Sequence, residues 1–402
     1  MFFLKSVYCR IFQGAFRIAM PLLPYRDPEI ISSCNDIGEV LFSKDIHSAL
    51  IITDRGILSC GLTEPVKTSL ENNRIVYTVF SDTCPNPTVD NVEAALTLYK
   101  ENSCQCIIAI GGGSAMDCAK AVGARVVYPR RSVGQLKGVM RVLRSLPTLI
   151  AVPTTAGTGS EITPAALITD TKKQHKYALM SFPIIPHYAV LDPALTYSLP
   201  KILTATTGMD ALTHATEAYI GRSTTKETRQ LSLETTSLVF SYLEKAFEDG
   251  HDREAREAML HAACKAGKAF AKSYVGYVHA IAHSLGGKYG TPHGLANAVI
   301  MPYVLDLYGK SAWRKLHELG VAAGVASKDD SHRDGAEKYI SAIRDMNSRL
   351  GIPDKLSGIA ESDIPEMSAH AEKEANPLYP VPRLMTREEL EKIYYMISDR
   401  RS

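Results

Sequence analysis

Much that would narrow the chemistry at once is missing from this chain. Its eight cysteines, at positions 9, 34, 60, 84, 104, 106, 118 and 264, include no CxxC pair. Several sit in apolar runs, as Cys106 does in CIIAIGGG, so reduced core thiols of a cytoplasmic protein are expected rather than disulfides. No apolar run approaches the roughly 20 residues that a membrane span requires. A formal net charge of +2 is too small to suggest a nucleic-acid binder. There is no internal repeat and no low-complexity linker.

What is present is ordinary in bulk and specific in detail. At 402 residues the chain suggests two domains or three, and 45% hydrophobic residues against 22% charged ones support a core of good size. From about Pro24 to Pro200, short apolar runs alternate with amphipathic segments. ALIITD (49–54), RIVYTVF (74–80), CIIAI (106–110) and TLIAVPTT (148–155) read as strands. A helix is expected from about Val89 to Glu101 and another after GGGS. Strands alternating with helices predict a mainly parallel sheet. Beyond Pro200 the strand pattern ends, and 226–248, 253–274 and 332–350 have helical periodicity. The expectation is an α/β domain over 25–199 and an all-helical domain over 200–402, packed closely with a cleft between them.

Residues 1–24 stand apart as an amphipathic extension. They contain Lys5, Arg10 and Arg17, no acid, and an apolar set of Leu4, Val7, Ile11, Ile18 and Leu22 that falls on one side of a helical wheel. One reading is an extra helix packed on the body or on a neighbouring subunit. The other is a membrane-surface helix or a targeting segment.

The second half carries the residues with the clearest chemistry. Asp210 and His214 in GMDALTHATEAY are four apart, so on a helix both leave the same face. His279 and His293, in VHAIAHSLGGKYGTPHGLANA, can close the set from a second helix and the loop after it. One carboxylate oxygen and three imidazole nitrogens suit a divalent transition metal. His283 is also four from His279 and, on spacing alone, is a further candidate ligand. The other eight of the 12 histidines take surface or core readings.

The first half offers places for an anionic cofactor. Gly111, Gly112, Gly113 and Ser114 follow the strand CIIAI and precede a helix, so backbone N–H groups and the helix N-terminus can meet a pyrophosphate. The alternative is a tight turn, and Met116 breaks the GxGxxG fingerprint. Asp54, ending its strand, can accept from both ribose hydroxyls and would repel a 2′-phosphate, which favours NAD over NADP. It can equally be a helix N-cap. PTTAGTGSE (153–161) sets small hydroxyls and glycines at another strand end, for a nicotinamide amide, a phosphate or simply a polar turn. From Cys118 to Ser160 there are seven basic residues and no acid, read as a solvated helical face that could attract a nucleotide.

Taken together, CPNPT (84–88), IAIGGGSAMD (108–117), PTTAGTGSE, GMDALTHATEAY (208–219) and HAIAHSLGGKYGTPHGLANAV (279–299) resemble the iron-containing (group III) alcohol dehydrogenase family. The resemblance runs from about Pro24 to the C-terminus. It implies a nucleotide-binding α/β domain followed by an all-α metal-binding domain, the dehydroquinate synthase-like architecture. By match to the family's motifs, Asp210, His214, His279 and His293 would be the metal ligands, and Gly112, Gly113 and Ser114 would hold the pyrophosphate. Asp54 and Asn86 would lie on the adenosine side, and Thr154, Thr155, Thr158, Leu167 and Lys176 would line the rest of the groove. His283 matches a histidine that the family places near the nicotinamide, which suits a proton relay.

The implied reaction converts a small primary alcohol and NAD into an aldehyde and NADH, reversibly. The metal would act as a Lewis acid. The ligands say only that it is divalent; Fe²⁺ is expected because the family points there, while Zn²⁺ would bind such a set at least as well. A homo-oligomer, a dimer at minimum, is expected from the family. Two competing readings are a non-redox lyase of the same fold, like dehydroquinate synthase, and a non-catalytic binding homologue. The first should carry basic residues around the site for a phosphate-bearing substrate, but only Lys288 stands in the stretch that holds the histidines. The second is opposed by the complete ligand set.

Overall fold

The computed structural model describes residues 2–172 and 175–399. They form two compact units, one from Pro24 to Ser198 and the other from Leu199 onwards together with the chain up to Leu23. Among the described residues no helix is long and apolar enough to cross a membrane. All eight cysteines are free thiols, and six of them are buried.

The first unit is built on nine strands. In chain order these are β1 (Glu29–Ile31), β2 (Ser48–Ile52), β3 (Val76–Phe80), β4 (Cys106–Gly111), β5 (Gly138–Val139), β6 (Thr148–Pro153), β7 (Ala165–Asp170), β8 (His175–Met180) and β9 (Tyr188–Val190). Six of them make one fully parallel sheet in the order β1-β9-β6-β4-β2-β3. Both faces are covered, as a parallel sheet requires. Along β2 and β4, Leu50, Ile52, Ile107 and Ala109 point to one buried cluster, while Ala49, Ile51, Ile108 and Ile110 point to the other. Each fully buried Ile or Leu of this kind contributes about 1.5–3 kcal/mol. A second sheet, β5-β8-β7, was not foreseen from the sequence. Strand β5 is two residues long and β8 opens on histidine and lysine, so neither carries an apolar run that marks a buried strand, whereas the AALIT run of β7 carried that signal and was not taken up.

The chain changes its direction of travel across the main sheet at β3. From β2 it passes to β3 on one side, then returns to β4 on the other side of β2 and continues to β6. The order therefore reverses between β2 and β4. In open α/β sheets, ligands bind beyond the carboxyl ends of the strands at such a reversal. Asp54 follows β2, and Gly111 closes β4.

Helices of this unit are α2 (Ile37–Phe42), α3 (Arg55–Ser59), α4 (Glu64–Asn72), α5 (Val89–Glu101) and α6 (Gly113–Val127). The other unit contains α1 (Phe2–Ala19), α7 (Lys201–Ile220), α8 (Lys226–Glu248), α9 (Arg253–Ser273), α10 (Tyr277–Tyr289), α11 (His293–Tyr308), α12 (Trp313–Ala322), α13 (His332–Arg349), α14 (Ile364–Ala375) and α15 (Arg387–Ile397). The helices expected at 89–101 and 226–248 have those bounds. That expected at 253–274 ends one residue early, because Tyr274 takes a φ of 63° and leaves the helical region.

Helix α7 is the core of its unit, buried over almost its whole length from Thr204 to Ile220. Its composition allows this. A Cβ on Gly208 would stand 2.3 Å from Leu243 of α8, so only glycine fits that approach. The hydroxyls of Thr206 and Thr213 bond back to the carbonyls of Ile202 and Met209 at 2.8 Å, which removes the cost of burying them.

One ring makes the first unit sensitive to acid. His187, just before β9, accepts the Leu149 N–H on Nδ1 at 3.1 Å while its own backbone N–H donates to Leu149 O at 2.8 Å. A ring nitrogen that accepts carries no proton. Burial, with Arg26 and Lys44 nearby, pushes the pKa from its ordinary 6.5 down to about 4. The folded value lies below the unfolded one, so this contribution is fully present above about pH 6.5 and is lost as pH falls towards about 4. Thermal melts across that window are expected to show a fall in midpoint that His187→Asn, an acceptor without a proton to gain, makes shallower.

Candidate functional site

The four residues singled out in the second half meet in space. Asp210 and His214 leave one face of α7, His279 comes from the first turn of α10, and His293 opens α11. One ligand atom from each lies within 4.8 Å of all the others. Asp210 Oδ1 stands 4.0 Å from His214 Nδ1, 3.9 Å from His279 Nε2 and 3.6 Å from His293 Nε2. A cation bonded at about 2.1 Å spaces neighbouring donors at roughly 3.4 Å, so the set needs only a small contraction to hold one ion. His283 is not part of this group.

The chemistry of the surroundings fits a cation as well. The amide nitrogen of Asn297 sits 2.7 Å from Asp210 Oδ1, 3.2 Å from His279 Nε2 and 3.1 Å from His293 Nε2. Three ligand atoms thus turn lone pairs on one positively polarised point, while Asn297 Oδ1 is buried with no hydrogen-bond partner among the described residues. Asp210, His214 and His279 are 2%, 5% and 2% exposed, whereas the His293 side chain is 39% exposed. The cluster is closed on the α7 side and open beside His293, the asymmetry a site needs if it is to admit a substrate.

What aims these side chains is Glu217, seven residues after Asp210 on α7. Its Oε2 accepts from the Gly276 N–H and from His279 Nδ1, at 2.8 and 2.7 Å, and its Oε1 accepts from the Val278 N–H at 2.8 Å. With Nδ1 donating, His279 presents a bare Nε2 to the cluster. Burial pushes the Glu217 carboxyl up to about 7 despite those three donors. Burial and the neighbouring His214, His293 and His283 hold His279 well below its ordinary value. A Cβ on Gly276 would stand 2.7 Å from Glu217 Oε1, so a glycine is needed for the carboxylate to reach the start of α10. The His214 ring is braced by stacking on Phe270 at 4.2 Å. His283 packs against His293 at 5.2 Å between ring centres, and its Nδ1 meets Glu374 Oε1 at 2.6 Å. Tyr379 donates to the same oxygen at 2.7 Å. Burial alone would raise Glu374, but His283, Tyr379 and His293 outweigh it and bring the carboxyl below its usual range.

In the first unit the expected cofactor residues gather at the carboxyl edge of the sheet. Gly111 has a φ of 150°, a conformation that favours glycine, and it places Gly112 as the N-cap of α6 with no side-chain cap over the first-turn N–H groups. A Cβ on Gly112 would lie 3.5 Å from Thr155, and one on Gly113 would lie 3.2 Å from Thr158, so both threonines face the glycine turn. Thr154 N donates to Gly111 O at 3.0 Å. Asn86, held at a φ of 57°, donates its N–H to Ser114 Oγ at 3.3 Å and accepts from Lys176 Nζ at 2.6 Å. Asp54 caps α3, accepting the Ile57 N–H at 2.9 Å on Oδ1, while Oδ2 faces Gly111. An uncapped helix N-terminus behind a glycine turn, ringed by hydroxyls, is suited to a pyrophosphate.

Sequence reading missed the groups that hold these parts still. Lys120 is fully buried on α6, and its ammonium donates to Ser160 Oγ, Thr163 O, Thr163 Oγ1 and Ala165 O at 2.8–3.1 Å. Burial lowers its pKa to about 8 against the pull of Asp117 and Glu161. Asp117 takes the N–H of Leu167 at 3.0 Å and the hydroxyl of Ser160 at 3.1 Å. Glu217 and Asn297 were legible in principle, since they follow Asp210 by seven and His293 by four, on the ligand-bearing face of each helix. Groups behind a metal ligand commonly govern metal affinity by 10–100-fold. Glu217→Gln is accordingly expected to weaken divalent-metal uptake by roughly that factor, measured by titration with chelator competition, while circular dichroism stays native.

With the geometry in hand, comparison with known proteins is direct. The family model described as "Iron-containing alcohol dehydrogenase" matches residues 31–193, and "Fe-containing alcohol dehydrogenase family, C-terminal" matches residues 204–397. The chain is 36% identical to "Alcohol dehydrogenase 4" of Saccharomyces cerevisiae over 344 residues, 85% of this chain and 88% of that protein. It is 35% identical to "NAD-dependent methanol dehydrogenase" of Bacillus methanolicus over 338 residues, 84% of this chain and 88% of the other. Among solved structures, 1,3-propanediol oxidoreductase superposes with a TM-score of 0.89 at 34% identity, covering 92% of this chain and 98% of its own. The chain belongs to the iron-containing alcohol dehydrogenase family.

Proposed function

We propose that this enzyme interconverts small primary alcohols and aldehydes by hydride transfer with NAD(H). The observation that carries the reading is the Asp210–His214–His279–His293 cluster, with three of its four residues buried and the fourth, His293, part-exposed. The names of the relatives, which include an NAD-dependent methanol dehydrogenase and a propanediol oxidoreductase, support the substrate class and favour it over a lyase or a non-catalytic homologue. The eight free thiols support a reducing compartment, the cytoplasm in our reading.

In this reading Asp210, His214, His279 and His293 hold a divalent cation, Fe²⁺ by the family's habit and Zn²⁺ by affinity. When bound, the cation supplies Lewis acidity to the alcohol or carbonyl oxygen, and the nicotinamide accepts or returns hydride. The protein's own part is to position and to move protons. Glu217 fixes the His279 tautomer. His283 takes up the alcohol proton on Nε2, and its Nδ1–H, tied to Glu374 at 2.6 Å, gives a second station towards Tyr379. Gly112, Gly113 and Ser114 bind the pyrophosphate at the start of α6, with Thr154, Thr155, Thr158, Leu167 and Lys176 along the groove. Asp54 and Asn86 receive the adenosine end.

Two outcomes test this. Protein stripped with chelator and reloaded separately with Fe²⁺, Zn²⁺, Co²⁺ or Mn²⁺ is expected to form NADH from a panel of primary alcohols with at least one metal. Asp210→Ala is expected to lose bound metal and roughly 10² or more of kcat/KM without unfolding. Absence of turnover with every alcohol and aldehyde under every metal would refute the reading. For the nucleotide, Asp54→Ser keeps an N-cap but removes the charge. It is expected to improve NADP use relative to NAD by roughly tenfold, read as the ratio of kcat/KM values.

A further inference from the structure

Helix α1 is turned inside out. Leu4, Val7, Ile11 and Ile18 fall within an arc of about 60° at 3.6 residues per turn, the pattern of a helix that packs its apolar side inward. In the structure that arc faces solvent, with Leu4 74%, Val7 42%, Ile11 67% and Ile18 76% exposed, and Leu22 in the 3₁₀ turn that follows is exposed as well. Cys9 and Gln13, on the opposite side, are 1% and 4% exposed.

Polar contacts hold the helix this way round. Gln13 Nε2 donates to Pro377 O and Tyr379 O, Arg10 donates to Val381 O and Pro382 O, and Lys5 pairs with Glu372 at 2.6 Å. Rolling the helix to bury its apolar arc would strand those carbonyls and the Gln13 amide, at about 1–3 kcal/mol for each buried group. The apolar stripe is therefore presented, and a continuous exposed stripe of this kind marks an interaction surface.

Charge identifies what it meets. Arg17, next in the chain to the exposed Ile18, lines a cavity of about 510 Å³ with Arg222, Arg229, Lys310, Arg314 and Lys315. Lys315 donates to the carbonyls of Tyr219, Ile220 and Gly221 at the end of α7. Among the described residues no acid lines this cavity, and Glu318 stands beside it, 3.8 Å from Arg314 and also taking the Tyr219 hydroxyl. A lining of six cations calls for an anion. A second copy of this chain would bring a basic cavity of its own and no anion to fill this one. A free phosphate compound would answer the cavity but leave the stripe unexplained.

We propose that α1 and this basic cavity form one docking surface for an anionic phospholipid membrane, lipid phosphates entering the cavity and the stripe lying among the acyl chains. This is peripheral binding, an amphipathic helix in the interface beside a basic patch. It is independent of the alcohol chemistry.

The test is co-sedimentation of the metal-loaded enzyme with phosphatidylcholine vesicles and with vesicles part-substituted by phosphatidylserine. Binding is expected to the second kind only and to fall as salt is raised. Ile11→Asp with Ile18→Asp, and separately Arg222→Glu with Arg314→Glu, should each lower vesicle binding roughly tenfold or more. Both pairs should leave alcohol turnover in solution unchanged, which also reports that they fold. Three results would overturn the proposal. One is no preference for anionic vesicles. Another is displacement by inorganic phosphate with no effect of the apolar pair, which would assign the cavity to a soluble phosphate ligand. The third is a concentration-dependent dimer in sedimentation velocity, abolished by Ile11→Asp with Ile18→Asp, in protein that ignores vesicles.

Discussion

A single buried carboxylate organises the helical unit. Glu217 reaches from α7 to the start of α10, satisfies two backbone N–H groups there and holds the ring of His279 by the third contact. Without it, those donors at the N-terminus of α10 would be buried unmet, a cost of about 1–3 kcal/mol each. Its own burial is costly too, which is why the carboxyl is pushed up to about 7. The arrangement is stable because each buried polar group answers another. It also couples the fold to the chemistry, since the same bonds that seat α10 on α7 turn His279 Nε2 towards Asp210.

The nucleotide unit depends on a comparable device of opposite sign. The ammonium of Lys120 is wholly buried and spans Ser160, Thr163 and Ala165, while Asp117 on the same helix takes Ser160 and Leu167. Helix α6 therefore does two things at once. Its N-terminus offers uncapped N–H groups behind the glycine turn, and its body fixes the loop that carries Thr155 and Thr158 against that turn. The reversal of strand order between β2 and β4 makes room for a ligand there, and Lys120 and Asp117 keep the room in shape.

Much of this was legible in the sequence where periodicity or spacing was involved. The parallel sheet followed from alternating strands and helices, and α5 and α8 from unbroken helical patterns, each of which the structure shows starting at a threonine N-cap, Thr88 and Thr225. Asp210 and His214 were legible as an i, i+4 pair. The strands β5 and β8 were not, because one is two residues long and the other opens on histidine and lysine, while the apolar run of β7 was legible and not taken up. Asp54 had two readings, cap or ribose acceptor, and its two oxygens divide between a cap to Ile57 and a face towards Gly111. Glu217, Asn297 and Lys120 were passed over for one reason. A single polar residue in a helical pattern looks like surface until a partner is known, and the partners lie 61, 87 and 43 residues away.

The N-terminal helix shows the same limit from the other side. Periodicity establishes that a helix has two unlike faces, but the inward face is chosen by whatever lies opposite it. Apolar burial is favourable in almost any orientation, at about 25 cal/mol per Å², and so discriminates poorly between them. Hydrogen bonds discriminate well, because a buried donor or acceptor missed by an ångström loses its partner outright. Glu217 meets N–H groups of α10, Lys120 meets the Thr163 carbonyl in the loop after β6 and the Ala165 carbonyl that opens β7, and Gln13 meets carbonyls beyond α14. In each case the polar contact sets which way an element faces, and the apolar surface follows it. For α1 the consequence is an apolar stripe turned outward, held there by the amide of Gln13 and the guanidinium of Arg10.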